Sequence, residues 1–168
     1  MVATSSYSDD TLLKMVLSSG GKRLHDRFKV LVRIRYSDCD AQGVMFNARY
    51  GEYVDVAVTE FYRRAFGSYQ DMLDMGLDSQ VVSLLIEWKS PCAFDDVVAI
   101  SITDIRLGKT SYTIQLQFTD VETQREIASA KIVYVMVTAI EHQKTAIPDD
   151  FRALLIKPLS GIVNLAGV

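Results

Sequence analysis

The chain has little of what several kinds of protein require. Two cysteines in 168 residues are too few for a disulfide framework or a cysteine-rich zinc site, and they read as free thiols in a reducing compartment. The two histidines, His25 and His142, both fall outside the stretch richest in other reactive side chains, which argues against a histidine-dependent acid–base site. No run reaches the roughly 18 apolar residues of a membrane span. Residues 1–10 are polar and acidic, unlike the basic start of a secretory signal, so the expected location is cytoplasmic. A net charge of −3 offers no general attraction for nucleic acid, although a local basic patch could still meet a phosphorylated ligand. No metal or redox cofactor is implied, and there is no internal repeat or low-complexity tract.

What is present is a core. Hydrophobic residues make up 49% of the chain, too many for disorder, and the length suits about one domain. Residues 1–27 read as an arm with a short amphipathic helix over 11–17, residues 28–155 as the domain, and 156–168 as a tail. Within the domain, Phe28, Val30, Val32, Ile34 and Tyr36 alternate with Lys29, Arg33 and Arg35, which predicts a half-buried strand with Leu31 as the one exception. Tyr50, Tyr53, Val54, Ala57, Val58, Phe61, Tyr62 and Ala65 recur at helical spacing and predict a long helix with a broad buried stripe, running from about Asn47 to Phe66 and stopping at Gly67. A short helix over 69–75 closes at Gly76. Strands are predicted at 81–88, 97–106, 112–118 and 127–139, and Pro148 marks another helix start before an apolar run over 151–156. One early strand, one long helix and four later strands indicate an α+β domain, with the helix buried against an antiparallel sheet.

Between the first strand and the long helix lies the stretch Tyr36-Ser37-Asp38-Cys39-Asp40-Ala41-Gln42-Gly43-Val44-Met45-Phe46-Asn47. Two carboxylates therefore arrive beside a helix N-terminus, where backbone amides lack intrahelical partners and the dipole favours negative charge. Such a junction suits chemistry on a carbonyl: a carboxylate serves as base or nucleophile while the amides stabilise the oxyanion.

The pattern Tyr36-x-Asp38-x-Asp40-x-x-Gly43-Val44 followed by Asn47-Ala48-x-Tyr50 resembles the loop-to-helix signature of hotdog-fold acyl-CoA thioesterases of the 4-hydroxybenzoyl-CoA thioesterase type. Thr59-Glu60-Phe61, Pro91-x-x-Phe94-Asp95-Asp96, Ser111 and Ile147-Pro148 fit the same pattern, so the resemblance covers about residues 28–155. It implies an antiparallel sheet wrapped around one long central helix, an acyl-CoA substrate, and a homodimer or homotetramer with its active site at the subunit boundary. It also implies that Asp40 is the catalytic carboxylate and that the backbone amide of Asn47 is the oxyanion donor. A tyrosine four residues before that aspartate, here Tyr36, belongs to one subgroup, but the histidine of that subgroup is replaced by Asn47. Gly43, Val44 and Ser111 would contact substrate.

Each of these residues also has a plainer role. Asp38 is expected to accept backbone hydrogen bonds that hold the loop. Asn47 is a favoured helix cap, Gly43 supplies a conformation or a close approach, and Tyr36 is either a core aromatic or an active-site hydroxyl. Glu60 lies roughly 20 Å along the helix from Asn47 and reads as structural. Cys39 sits between two carboxylates, which disfavour its thiolate. Two rival functions remain: a hotdog hydratase or dehydratase, and an acyl-thioester-binding protein without turnover. The first would call for a histidine in the loop–helix region.

Overall fold

The computed structural model describes residues 27–167. The arm helix expected at 11–17, and His25, lie outside the described residues. The elements run β1 (Arg27–Arg33), a 3₁₀ turn (Tyr36–Asp38), α1 (Arg49–Phe66), α2 (Tyr69–Asp74), β2 (Leu77–Trp88), β3 (Val97–Leu107), β4 (Ser111–Asp120), β5 (Glu126–Thr138), α3 (Asp149–Ile156) and β6 (Ser160–Asn164). The six strands form one sheet in the order β2-β5-β4-β3-β1-β6.

The core forms where the sheet's inner face meets α1. β4 alternates without a break: Tyr112, Ile114, Leu116 and Phe118 are buried, while Thr113, Gln115, Gln117 and Thr119 point the other way and stay partly exposed. All eight apolar residues predicted for the stripe of α1 are buried, and they pack with the inner faces of β1, β3, β4 and β5 as one cluster. A sheet curling around one long helix is the hotdog fold, as the resemblance implied.

The sheet is not wholly antiparallel. β1 pairs antiparallel with β3, but its other edge pairs in parallel with β6, a strand within the stretch expected as a tail. This strand also explains the one break in the alternation of β1. Leu31 faces away from α1 and is 2% exposed, because Ala99, Val121, Ala166 and Ile162 cover it in a second small cluster. Tyr36 is corrected as well: β1 ends at Arg33, the chain turns, and Tyr36 stands 82% exposed against Phe94 rather than in the core. Among the described residues no helix is long and apolar enough to cross a membrane.

Candidate active site

The acidic loop is held from inside by Asp38. Its carboxylate is 1% exposed and accepts hydrogen bonds from the Arg35 backbone amide (2.9 Å), the Arg35 guanidinium (3.0 and 3.1 Å) and the Tyr53 hydroxyl on α1 (2.5 Å). Burial alone would discourage ionisation, but the hydrogen bonds from Arg35 and Tyr53 outweigh it and hold the carboxyl below its ordinary pKa. Burial, and then the charge it faces, push the Tyr53 phenol up to about 12. Asp38 thus fixes the loop, as expected, although one backbone amide and two side chains supply its donors where backbone groups alone were anticipated. Arg35 and Tyr53 were missed as its partners; the arginine three residues before Asp38 was the available signal.

Asp40 stands in the opposite situation. Its Oδ1 accepts only the Gln42 amide (2.7 Å), closing a local turn, and Oδ2 has no partner among the described residues. The turn is completed by Gly43 N–H donating to the Asp40 carbonyl (2.9 Å) and by Asp40 N–H donating to the Val44 carbonyl (2.9 Å). Gly43 has φ +77° and nothing within 4 Å of where a Cβ would stand, so conformation and not close approach is its reason for being glycine. Val44 is partly buried and bridges Ala93, which ties the loop to the segment before β3.

The loop returns to the helix through Phe46, whose amide donates to the Asp38 carbonyl (2.8 Å), so Asp40 and the α1 N-terminus are two ends of one short hydrogen-bonded junction. The helix starts later than predicted. Ala48 is the N-cap and has no side chain to offer, and Asn47 precedes it, exposed and without a capping bond. The cap role expected of Asn47 is therefore not filled. Among the described residues, neither the Asn47 nor the Ala48 amide has a hydrogen-bond acceptor. Both residues line a groove of about 360 Å³ whose other walls are Gly51 on α1 and Leu84, Ile86 and Trp88 on β2. That volume lies within the range of small-molecule sites. Sequence reasoning missed these four residues; a glycine inside the helical pattern was the one signal.

The remaining candidates lie apart. Ser111 begins β4 next to Tyr112, whose ring network includes Tyr62 near the far end of α1. Thirteen residues of helix separate Tyr62 from the start of α1 at Arg49, or roughly 20 Å. One chain therefore does not bring Ser111 to the groove, and the exposed Tyr36 does not line it either. The Cys39 thiol is pushed up by burial and then by Asp38, Asp40 and Asp96. Glu60 pairs with Arg63 one turn along the helix. His142 sits on an exposed turn. Among the described residues no cluster of side chains could hold a metal ion.

Residues 34–155 match the family model described as the thioesterase-like superfamily, a span that takes in the acidic loop, α1 and the strands β2 to β5. The chain belongs to the thioesterase-like superfamily. The match is to the superfamily as a whole. The acyl-CoA thioester hydrolase YbgC of Escherichia coli is 26% identical over 126 residues, covering 75% of this chain and 93% of that protein. Among solved structures, the hypothetical protein AQ1494 of Aquifex aeolicus superposes with a TM-score of 0.69 at 26% identity, over 76% of this chain and 98% of that one. The gentisyl-coenzyme A thioesterase BH1999 superposes with a TM-score of 0.65 at 25% identity, over 74% and 98%. This thioesterase-like domain thus shares both its sequence family and its fold with thioester hydrolases.

Proposed function

We propose that the protein hydrolyses acyl-CoA thioesters at the junction of the acidic loop and α1. The observation that carries this reading is a pair of amides without acceptors among the described residues, at Asn47 and Ala48, on two residues that line an apolar groove; the partly exposed Asp40 does not line the groove but stands in the loop that leads to them. The thioester carbonyl oxygen would lie against these amides, which stabilise the negative charge that develops on it, an effect of about 3–4 kcal/mol in other enzymes. Asp40 would act on the carbonyl carbon. As a base it takes a proton from water, whose hydroxyl adds to the carbon; as a nucleophile it forms a mixed anhydride that water then opens. In either route the C–S bond breaks, CoA leaves as a thiol and the acid is released. A single turnover in ¹⁸O water separates the routes, because only the anhydride can leave the label in Asp40. No chemical step is assigned to Tyr36.

The rival hydratase reading calls for a histidine, and among the described residues none lines the groove. The assay that tests hydrolysis is release of free thiol from a panel of acyl-CoAs by the purified protein; hydration or bare binding without thiol release would overturn it.

We further infer a homo-oligomer built through β2. This strand is an edge, and Val81, Val82, Leu84, Leu85 and Trp88 along it are 41–59% exposed, which leaves both backbone hydrogen-bonding groups and apolar surface to be covered. A second copy pairing here would complete the sheet. It is also the route by which Ser111 of another subunit could approach a groove that its own chain does not let it reach. Light scattering showing a fully active monomer would sink the shared site.

A further inference from the structure

β2 is left partly uncovered on its inner face by what α1 lacks. In register beside it, Ala128 and Ile132 of β5 are buried in the core cluster with α1, yet their partners Trp88 and Leu84 are 52% and 41% exposed, while Ile86, the partner of Ala130 between them, is partly buried against that cluster. All these residues point to the same side of the sheet. The difference arises because α1 turns Ala48 and Gly51 toward β2, three residues apart and hence on one face, and neither has a side chain long enough to reach across.

Gly51 has no backbone reason to be glycine. Its φ lies outside the left-handed region, and a Cβ placed there would meet only Leu84 Cδ2 at 3.5 Å, an ordinary contact. A glycine within a helix weakens it relative to alanine. The effect of its missing side chain is room, at the point where the groove would otherwise be closed between α1 and Leu84.

The groove also has a direction. At its mouth are Asn47 and Ala48 with their free amides, and Trp88, whose ring edge meets Tyr50 near the start of α1. From Trp88 back to Leu84 is four strand residues, roughly 13 Å. The other end is formed by Gly51, Ile86 and Leu84, with no hydrogen-bonding side chain. A hydroxyl carried to that end would find no side-chain partner among the residues that line it.

We propose that Gly51 sets the bore of this groove, and that the groove takes an unbranched aliphatic acyl chain, running from the amides of α1 along β2 toward Leu84. The proposal rests on the acyl-CoA reading above and assigns its substrate class. In an apolar pocket each methylene gained or lost is worth about 10-fold or more in discrimination.

The test measures kcat/KM for octanoyl-CoA, acetyl-CoA and 4-hydroxybenzoyl-CoA, and, independently of turnover, binding of the thioethers S-octyl-CoA and S-methyl-CoA by calorimetry. In Gly51→Val the octanoyl-to-acetyl ratio and the octyl-to-methyl binding ratio are expected to fall at least about 10-fold, and adding Leu84→Ala is expected to return much of both. Gly51→Ala, which favours the helix, is expected to show a smaller fall with a Tm equal to or above that of the parent, so the result does not hang on the folding of the valine variant. Unchanged ratios in both assays would overturn the proposal. So would a parent enzyme that prefers 4-hydroxybenzoyl-CoA to octanoyl-CoA. Dissociation of the oligomer by Gly51→Val, with equal loss for every chain length, would show that the groove is instead filled by a second copy. A thioether ratio that shifts in a protein releasing no thiol would leave the groove standing and remove the hydrolase reading.

Discussion

The two ends of α1 are built for different tasks. Toward its C-terminus the helix is enclosed by rings: Phe61 meets Phe28, Tyr62 meets Tyr134, and Phe66 meets Phe151, while the Tyr62 and Tyr112 hydroxyls bond to each other and Tyr112 donates to Ser79 (2.7 Å). Full burial raises the Tyr62 phenol far above its ordinary pKa, so this network stays neutral and serves packing. Toward its N-terminus the same helix presents Ala48 and Gly51, two amides without acceptors and a groove open to solvent. The contrast shows stability drawn from one end of the helix so that the other can be left incomplete. A site needs unpaired donors and empty space, both of which a well-packed core eliminates.

The largest effect should come from breaking the packed end. Phe61 is wholly buried, and Phe61→Ala is expected to lower unfolding free energy by about 3–5 kcal/mol, read by denaturant titration, with activity lost only as folded protein is lost. A fall in kcat/KM with no change in stability would show that the two ends are not separate.

At the open end, Asp40→Asn is expected to cut acyl-CoA turnover by at least about 100-fold, near 2.7 kcal/mol of barrier, with Tm unchanged. The asparagine oxygen can still accept the Gln42 amide, so the turn should survive. Retained activity would move the chemistry away from Asp40.

Asp38 joins the loop to the helix and should respond in stability. Asp38→Asn gives up charge-assisted bonds from Arg35 and Tyr53, for an expected loss of about 2 kcal/mol at neutral pH. The carboxyl is held below its unfolded value of about 3.9, so its contribution is present above that pH and fades as the pH falls through the folded value. The stability gap between parent and variant should therefore close below about pH 4; a gap independent of pH would mean that shape and not charge is what Asp38 supplies.

The smallest effect is expected from Asn47→Ser. The proposed oxyanion contact is a backbone amide and Asn47 caps nothing, so most activity should remain in a steady-state assay. A loss as large as that of Asp40→Asn would mean that the side-chain amide touches the substrate.

Much of the fold is legible in the amino-acid sequence. The stripe of α1 can be read there because burial imposes a period of 3.6 on a helix long enough to show it, and the four long strands because β-branched and aromatic residues gather between turn-forming pieces. β6 cannot. Its Ser160-Gly161-Ile162-Val163-Asn164 has too few residues to display a period, and the parallel edge of β1 gives it structure from outside. The helix start is misplaced by two residues because Asn47 has the chemistry of a cap, while the Phe46–Asp38 bond, a contact formed by folding, decides where the helix can begin.

By itself the sequence determined the α+β order of elements as far as α3, the core faces of β1 and α1, and the acidic loop preceding a helix, since these depend on residue type and local spacing. The tertiary structure decided that Asp38 is buried and paired while Asp40 is left half-exposed, though both read as loop aspartates. It also brought Gly51 opposite Leu84, residues 33 positions apart in the chain. A groove is made of space between distant elements, and no local pattern of side chains encodes the absence of one that would have filled it.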